Sequence, residues 1–192
     1  MSIELVEFRQ PDLQEAREVD AKVIDLAAYV AIRKSGLVEI DQTEQTQLSP
    51  LKLNLLELIS LGNSTAQSGY NLGRSMPYLK NLRAELPKNL GARNINHAIR
   101  LGFEMGLLTP LDDELEFNYY VHPLTPMQSK VLELTSLGNS KYDIGEILGI
   151  QPRTAKNYSY AVRYNLGAHN TPNAIRIGIL SGLIPINSDS RI

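Results

Sequence analysis

An internal repeat constrains this chain more than any other feature of its sequence. With Leu48 placed on Leu124, LSPLKLNLLELISLGNS falls on LTPMQSKVLELTSLGNS without a gap. The same offset carries Leu72 and Gly73 onto Leu148 and Gly149, Lys80 and Asn81 onto Lys156 and Asn157, and the run from Asn89 to Ala92 onto that from Asn165 to Ala168. It then carries Ala98, Ile99 and Arg100 onto Ala174, Ile175 and Arg176, and Gly106 and Leu107 onto Gly182 and Leu183. Roughly two in five positions are identical over about sixty residues, a level that duplication explains and coincidence does not. A chain of 192 residues built this way is expected to hold two related small units rather than one large one.

Each copy reads as four short helices. In the second, Thr125 is an N-cap and Pro126 takes the first helical position, where its missing N–H is no loss. The stripe Met127, Val131, Leu132, Leu134 and Thr135 keeps helical spacing until Gly138 ends the helix. Ser140 caps a second helix with apolar positions Tyr142, Ile144, Ile147 and Leu148, closed by Gly149. Gln151 and Pro152 open a third helix, Arg153 to about Asn165, and Thr171 and Pro172 open the last, which runs to Gly182. Two short helices joined by a tight turn, the second carrying basic and amide side chains, form a helix-turn-helix arrangement. Gly145 fits it, because the pair crosses closely near the turn; the plain alternative is a generic four-helix domain in which Gly145 is a weak spot. The expected fold is all-α: two tandem four-helix helix-turn-helix domains, 48–110 and 124–186, joined by an acidic linker, 111–123. An N-terminal amphipathic segment, 1–47, precedes them and a tail, 187–192, follows.

Charge placement matters more than the net charge of −2. Residues 1–45 hold ten acids against five bases, and Asp112, Asp113, Glu114 and Glu116 crowd the linker with no base among them. The segments 46–110 and 121–192 carry seven bases each against three and four acids, so both are net basic. Charges are felt over a Debye length of roughly 8–10 Å, so a basic module between acidic segments is compatible with phosphate binding. There is no cysteine, which excludes disulfides, thiolate zinc sites and thiol catalysis. His97, His122 and His169 are scattered, and no metal or other cofactor is expected. The four linker acids have no neighbouring His or Lys base and no glycine-rich phosphate loop occurs, so an enzyme is not expected. No apolar run approaches the ~20 residues of a membrane span, and the opening MSIELVEFRQ is acidic where a signal peptide is basic. A cytoplasmic protein with no membrane partner and no small-molecule ligand is expected.

The residues LTPMQSKVLELTSLGNSKYDIGEILGIQPRTAKNY, followed by NLGAHNTPNAIRIGILSGLI, make the second copy resemble the DNA-binding domain of LuxR/NarL-type (GerE-like) bacterial transcription regulators. The resemblance spans nearly the whole repeat. It implies that the helix from Arg153 enters the major groove of double-stranded DNA, with Lys156, Asn157 and Tyr160 meeting base edges. Chemistry agrees for two of them. Lys156 can donate to guanine O6 or N7 and Asn157 can pair bidentately with adenine, each worth about 1–3 kcal/mol of discrimination. The family often has a basic residue where Tyr160 stands, which leaves it three roles: reading a base, touching phosphate, or packing. Asn139, Lys141, Thr154 and Tyr158 fall where family members touch the sugar-phosphate backbone, contacts that position without specifying. For Lys141 and Arg153 the bland alternative is a solvated surface charge.

The first copy is a divergent LuxR-like domain. Ser68 stands where the family has isoleucine, Arg74 replaces the isoleucine before the turn, and Pro87 lies late in the third helix, where it is expected to kink or end it. Lys80, Asn81, Arg83 and Lys88 keep a basic surface. Two readings stand side by side: a second DNA reader, and a copy kept to pack on its sibling or a partner. Ahead of it, Pro11 to Ser35 reads as one amphipathic helix that docks on the first copy or dimerises. The segment is too short for a receiver domain or an acyl-homoserine-lactone pocket, each of which needs roughly 100 residues, so direct control by phosphorylation or autoinducer is not expected. The leading expectation is a sequence-specific transcription regulator, an activator by family analogy, with RNA polymerase as a partner. Homodimerisation is expected through Pro11 to Ser35 or through a last helix. The competing class is an interaction protein or anti-activator that pairs with a LuxR-type regulator or RNA polymerase without reading DNA.

Overall fold

The computed structural model describes residues 48–110 and 122–186, so the expected helix over Pro11 to Ser35, most of the acidic linker and the tail lie outside the described residues. Among the described residues there are eight α-helices and no strand. They fall into two sets of four. The first set is α1 (Pro50–Ser60), α2 (Thr65–Leu72), α3 (Met76–Asn89) and α4 (Ile95–Glu104). The second is α5 (Pro126–Ser136), α6 (Lys141–Leu148), α7 (Pro152–Asn165) and α8 (Thr171–Leu180). In both sets the lengths run 11, 8, 14 and 10 residues.

Local chemistry sets the helix ends. Thr125 and Gln128 close a capping box on α5, Ser140 and Asp143 on α6, and Ser64 and Gln67 on α2. Gly149 takes the left-handed conformation, φ 64°, that stops α6 and frees the chain to turn into α7. The last helix begins at Thr171, as expected, with Asn170 as the N-cap that accepts from the Asn173 N–H. Two expectations are corrected. Pro87 does not end α3, which runs on to Asn89: proline has no N–H to give, but its carbonyl still accepts, from the Leu90 and Ala92 N–H groups at 3.2 and 2.8 Å. Tyr142 and Ile147 are not core positions of α6 but are 63% and 55% exposed; Ile144 and Gly145 form the inward face instead.

Leu55, Leu56, Ile59, Leu79, Leu86 and Ile99 of the first set share one buried cluster with Ala174, Ile175 and Ile184 of the second. A smaller cluster, Val131, Ile144 and Ala155, holds α5, α6 and α7 together. In the first set Ser68 takes the place of Ile144; it is fully buried and its hydroxyl has no hydrogen-bond partner, the weakened core expected from this departure.

The sets are joined by contacts that occur twice, with the roles of the sets exchanged. Asn94 Nδ2 donates to the Gly138 carbonyl at 2.8 Å, and Asn170 Nδ2 to the Gly62 carbonyl at 2.7 Å. Arg100 donates to Ser136 Oγ and the Pro185 carbonyl at 3.1 and 2.9 Å, and Arg176 to Ser60 Oγ and the Thr109 carbonyl at 2.9 and 3.0 Å. Helix α4 lies against α8; α8 also meets α1, as α4 meets α5. Gly62 and Gly138, with φ 96° and 84°, do more than terminate helices. A Cβ on Gly62 would lie 3.1 Å from His169 Cβ, and one on Gly138 3.0 Å from Arg93 Cβ. The exchange is imperfect. Arg176 is fully buried with the Phe103 ring 5.4 Å from its guanidinium, while Arg100 is also paired with Glu104 at 2.8 Å.

Candidate nucleic-acid interface

Helix α7 is positioned by what it buries. Ala155 and Val162 are fully inside, and the half-buried Tyr158 ring packs on the Val131, Ile144 and Ala155 cluster. The opposite face carries Arg153, Lys156, Asn157, Tyr160 and Tyr164, all exposed and spaced by three or four residues as one stripe demands. Gly145 fixes the approach of α6. A Cβ there would lie 2.7 Å from the Ile150 carbonyl oxygen and 3.4 Å from the Pro152 nitrogen, so the turn backbone occupies the space a side chain needs. The close crossing expected at this glycine is therefore an approach to the turn itself.

Tyr160 is half exposed, and its ring lies between two cations, Lys156 Nζ at 5.4 Å from the centroid and the Arg163 guanidinium at 4.6 Å. Such cation–π contacts hold flexible side chains against an aromatic face at about 0.5–1 kcal/mol each when exposed. Tyr160 thus orders Lys156 on the outward face. Arg163 and Tyr164, the latter 82% exposed, were missed at the sequence level; their i+3 and i+4 spacing from Tyr160 was the available signal.

The remaining positions divide. Thr154 is half-buried at the start of α7. Lys141 is exposed at the start of α6, its ammonium 5.0 Å from the Tyr142 ring centroid. Asn139 is committed to structure: its Nδ2 donates to the Leu134 carbonyl at 2.9 Å and its Oδ1 accepts from Arg93 Nη1 at 3.3 Å. Hydrogen bonds between Ser140 and the Asp143 carboxyl hold that group below the usual carboxylate range, so it remains an anion at the mouth of α6.

On α3, Leu79, Leu82 and Leu86 point inward, while Lys80 and Asn81 are exposed in the register of Lys156 and Asn157. Arg83 is half-buried, and burial lowers its guanidinium from the ordinary value while leaving it a cation. Ala84 occupies the place of Tyr160. Around the turn before α3, Tyr70, Met76 and Tyr78 are exposed where the second set has Glu146, Pro152 and Thr154. Among the described residues no group of side chains could hold a metal ion, and no helix is long and apolar enough to cross a membrane.

Helices α6 and α7, with Gly149, Ile150 and Gln151 between them, define a helix-turn-helix. Residues 122–177 match the model of the GerE family, described as bacterial regulatory proteins of the luxR family, so this segment is a LuxR-type helix-turn-helix domain. The transcriptional activator protein BjaR1 of Bradyrhizobium diazoefficiens is 38% identical over 61 residues, covering 32% of this chain and 25% of that protein. The chain therefore spans about a quarter of the length of this relative. No solved structure matches the chain.

Proposed function

We propose that this protein is a sequence-specific DNA-binding transcription regulator whose α7 reads the major groove. The observation that carries the proposal is the outward stripe of Arg153, Lys156, Asn157 and Tyr160 on the second helix of a LuxR-type helix-turn-helix. Lys156 and Asn157 are the base readers, Lys156 held by the Tyr160 ring, while Arg153 and Lys141 neutralise phosphate. The first set is a second, divergent module of the same kind, supported by the matching helix lengths and by Lys80 and Asn81 in the same register. An activating role is favoured by the name of the relative.

A second reading draws on Tyr70, Met76 and Tyr78, exposed on the first set. Aromatic and methionine side chains are enriched at protein contacts, and here the partner would be RNA polymerase or another regulator.

Single alanine substitutions separate base reading from phosphate contact. Lys156→Ala and Asn157→Ala are expected to lower specific affinity by roughly tenfold each and to relax base preference at distinct positions. Lys141→Ala is expected to weaken all sequences alike. Equal, sequence-independent losses from all three would show that α7 is not the reading helix, and no loss from any of them would favour the interaction protein.

A further inference from the structure

We propose that a single copy of this chain is a complete two-fold DNA reader that binds two inverted half-sites, one through Lys80 and Asn81 on α3 and the other through Lys156 and Asn157 on α7. The inference rests on the DNA-binding function proposed above and adds the architecture of the target and the stoichiometry.

Its basis is the exchanged contacts between the sets. When residue i of one unit meets residue j of the other, and j of the first meets i of the second, the units are related by a two-fold axis. Asn94 to Gly138 and Asn170 to Gly62 form one such pair, and Arg100 to Ser136 and Arg176 to Ser60 another. A two-fold between readers requires half-sites of opposite orientation; a direct repeat requires a translation, which these contacts do not provide.

Burial supplies the stoichiometry. From Pro172 to Ile179 every residue of α8 is buried, and Ala98, Ile99, Gly102 and Phe103 of α4 are buried as well. The last helices, where dimerisation was one expectation, are occupied by each other within one chain. Among the described residues, a second chain is not needed to complete the pair of last helices.

The halves do not read alike. Lysine and asparagine repeat on both helices, but four residues beyond the lysine the first set has Ala84 and the second has Tyr160, flanked by Lys156 and Arg163. The half-sites therefore share the bases read by lysine and asparagine and diverge beside them, so that the protein binds its operator in one orientation only.

The test uses the full chain. Sequences bound from a random duplex pool are determined, and the mass of the complex on the selected duplex is measured by sedimentation and native mass spectrometry. One chain per duplex and an imperfect inverted repeat about one helical turn between centres are expected. A Lys80→Ala, Asn81→Ala double variant should lose base preference in one half-site by about tenfold or more, and a Lys156→Ala, Asn157→Ala variant in the other. All four residues are exposed, so unchanged thermal unfolding is the control for folding. Two chains per duplex, a direct repeat, or a site indifferent to Lys80 and Asn81 would overturn this proposal while leaving DNA binding intact. No duplex bound at low salt would overturn the DNA-binding function and this proposal with it.

Discussion

Gly145→Ala is a sharp probe of the helix-turn-helix because two effects of known sign oppose each other there. Gly145 lies inside α6, where alanine is favoured over glycine by about 1 kcal/mol through backbone entropy. Its Cβ, however, would stand 2.7 Å from the Ile150 carbonyl oxygen, whereas carbon–oxygen contacts settle near ~3.3–3.6 Å. Relief needs a shift of more than half an ångström, and the turn resists it. The Ile150 N–H donates to the Gly145 carbonyl at 2.9 Å, and the Ile150 side chain packs on the Val131, Ile144 and Ala155 cluster. Overpacking of this kind costs about 1–3 kcal/mol, so the net loss is about 1 kcal/mol. For a unit of this size that lowers Tm by about 2–4 °C in calorimetry or circular dichroism. Gly69→Ala is the internal comparison: its Cβ would lie 3.0 Å from the Arg74 carbonyl, a smaller overlap that the gain in helix propensity offsets, so it should be nearly neutral. A Gly145→Ala protein as stable as the parent, or more stable, would refute the close approach of α6 to the turn.

Three further outcomes follow from the packing. Ser68→Ala should stabilise the protein by about 1 kcal/mol in denaturant titration, because it removes a buried hydroxyl without a partner. Arg176→Ala should cost about 2–4 kcal/mol, since it strips Ser60 Oγ and the Thr109 carbonyl of their donor and leaves a cavity, whereas the less buried Arg100→Ala should cost less. His97 accepts from the Arg93 N–H through Nδ1, and burial, then Arg93 and Arg100, lower its pKa against an opposing pull from Glu104. A lowered histidine pKa means that the unfolded chain binds the extra proton first, so stability is fullest above the ordinary pKa of about 6.5 and declines as pH falls below it. A His97→Gln variant should show a flatter stability profile between pH 7 and pH 5 in thermal unfolding, and an unchanged slope would count against this contact.

Helix ends were legible because their causes are local. The boxes of Thr125 with Gln128 and Ser140 with Asp143, and the stop at Gly149, lie within three residues of the ends they fix. On α6 the close crossing at Gly145 was legible from the small residue before the turn, but Tyr142 and Ile147 were counted among the apolar positions by residue type alone, and both face outward. What joins the sets was not legible in this way. Arg176 meets Ser60 across 116 positions, and Asn170 meets Gly62 across 108, so neither window shows its partner. Arg100 and Arg176 were visible as repeat markers, but not as buried side chains that bind the opposite set. Gly138 was explained by helix termination alone, while the structure gives it a second reason in Arg93, and gives its counterpart Gly62 the same reason in His169. Lys156 and Asn157, the proposed base readers, stood out in the sequence because the pair recurs in frame as Lys80 and Asn81. The contacts of Lys156 and Arg163 with the Tyr160 ring were not legible, since they depend on which face of α7 the core leaves outside.

The proposed function stands on DNA binding through the basic face of α7. The most direct test is an equilibrium titration of the full chain against its selected duplex and a scrambled one across a salt series. Tighter binding to the selected sequence is expected, with log K falling linearly with log salt by about 0.9 for each phosphate contacted. Equal affinity for both duplexes, or no binding at low salt, would contradict it.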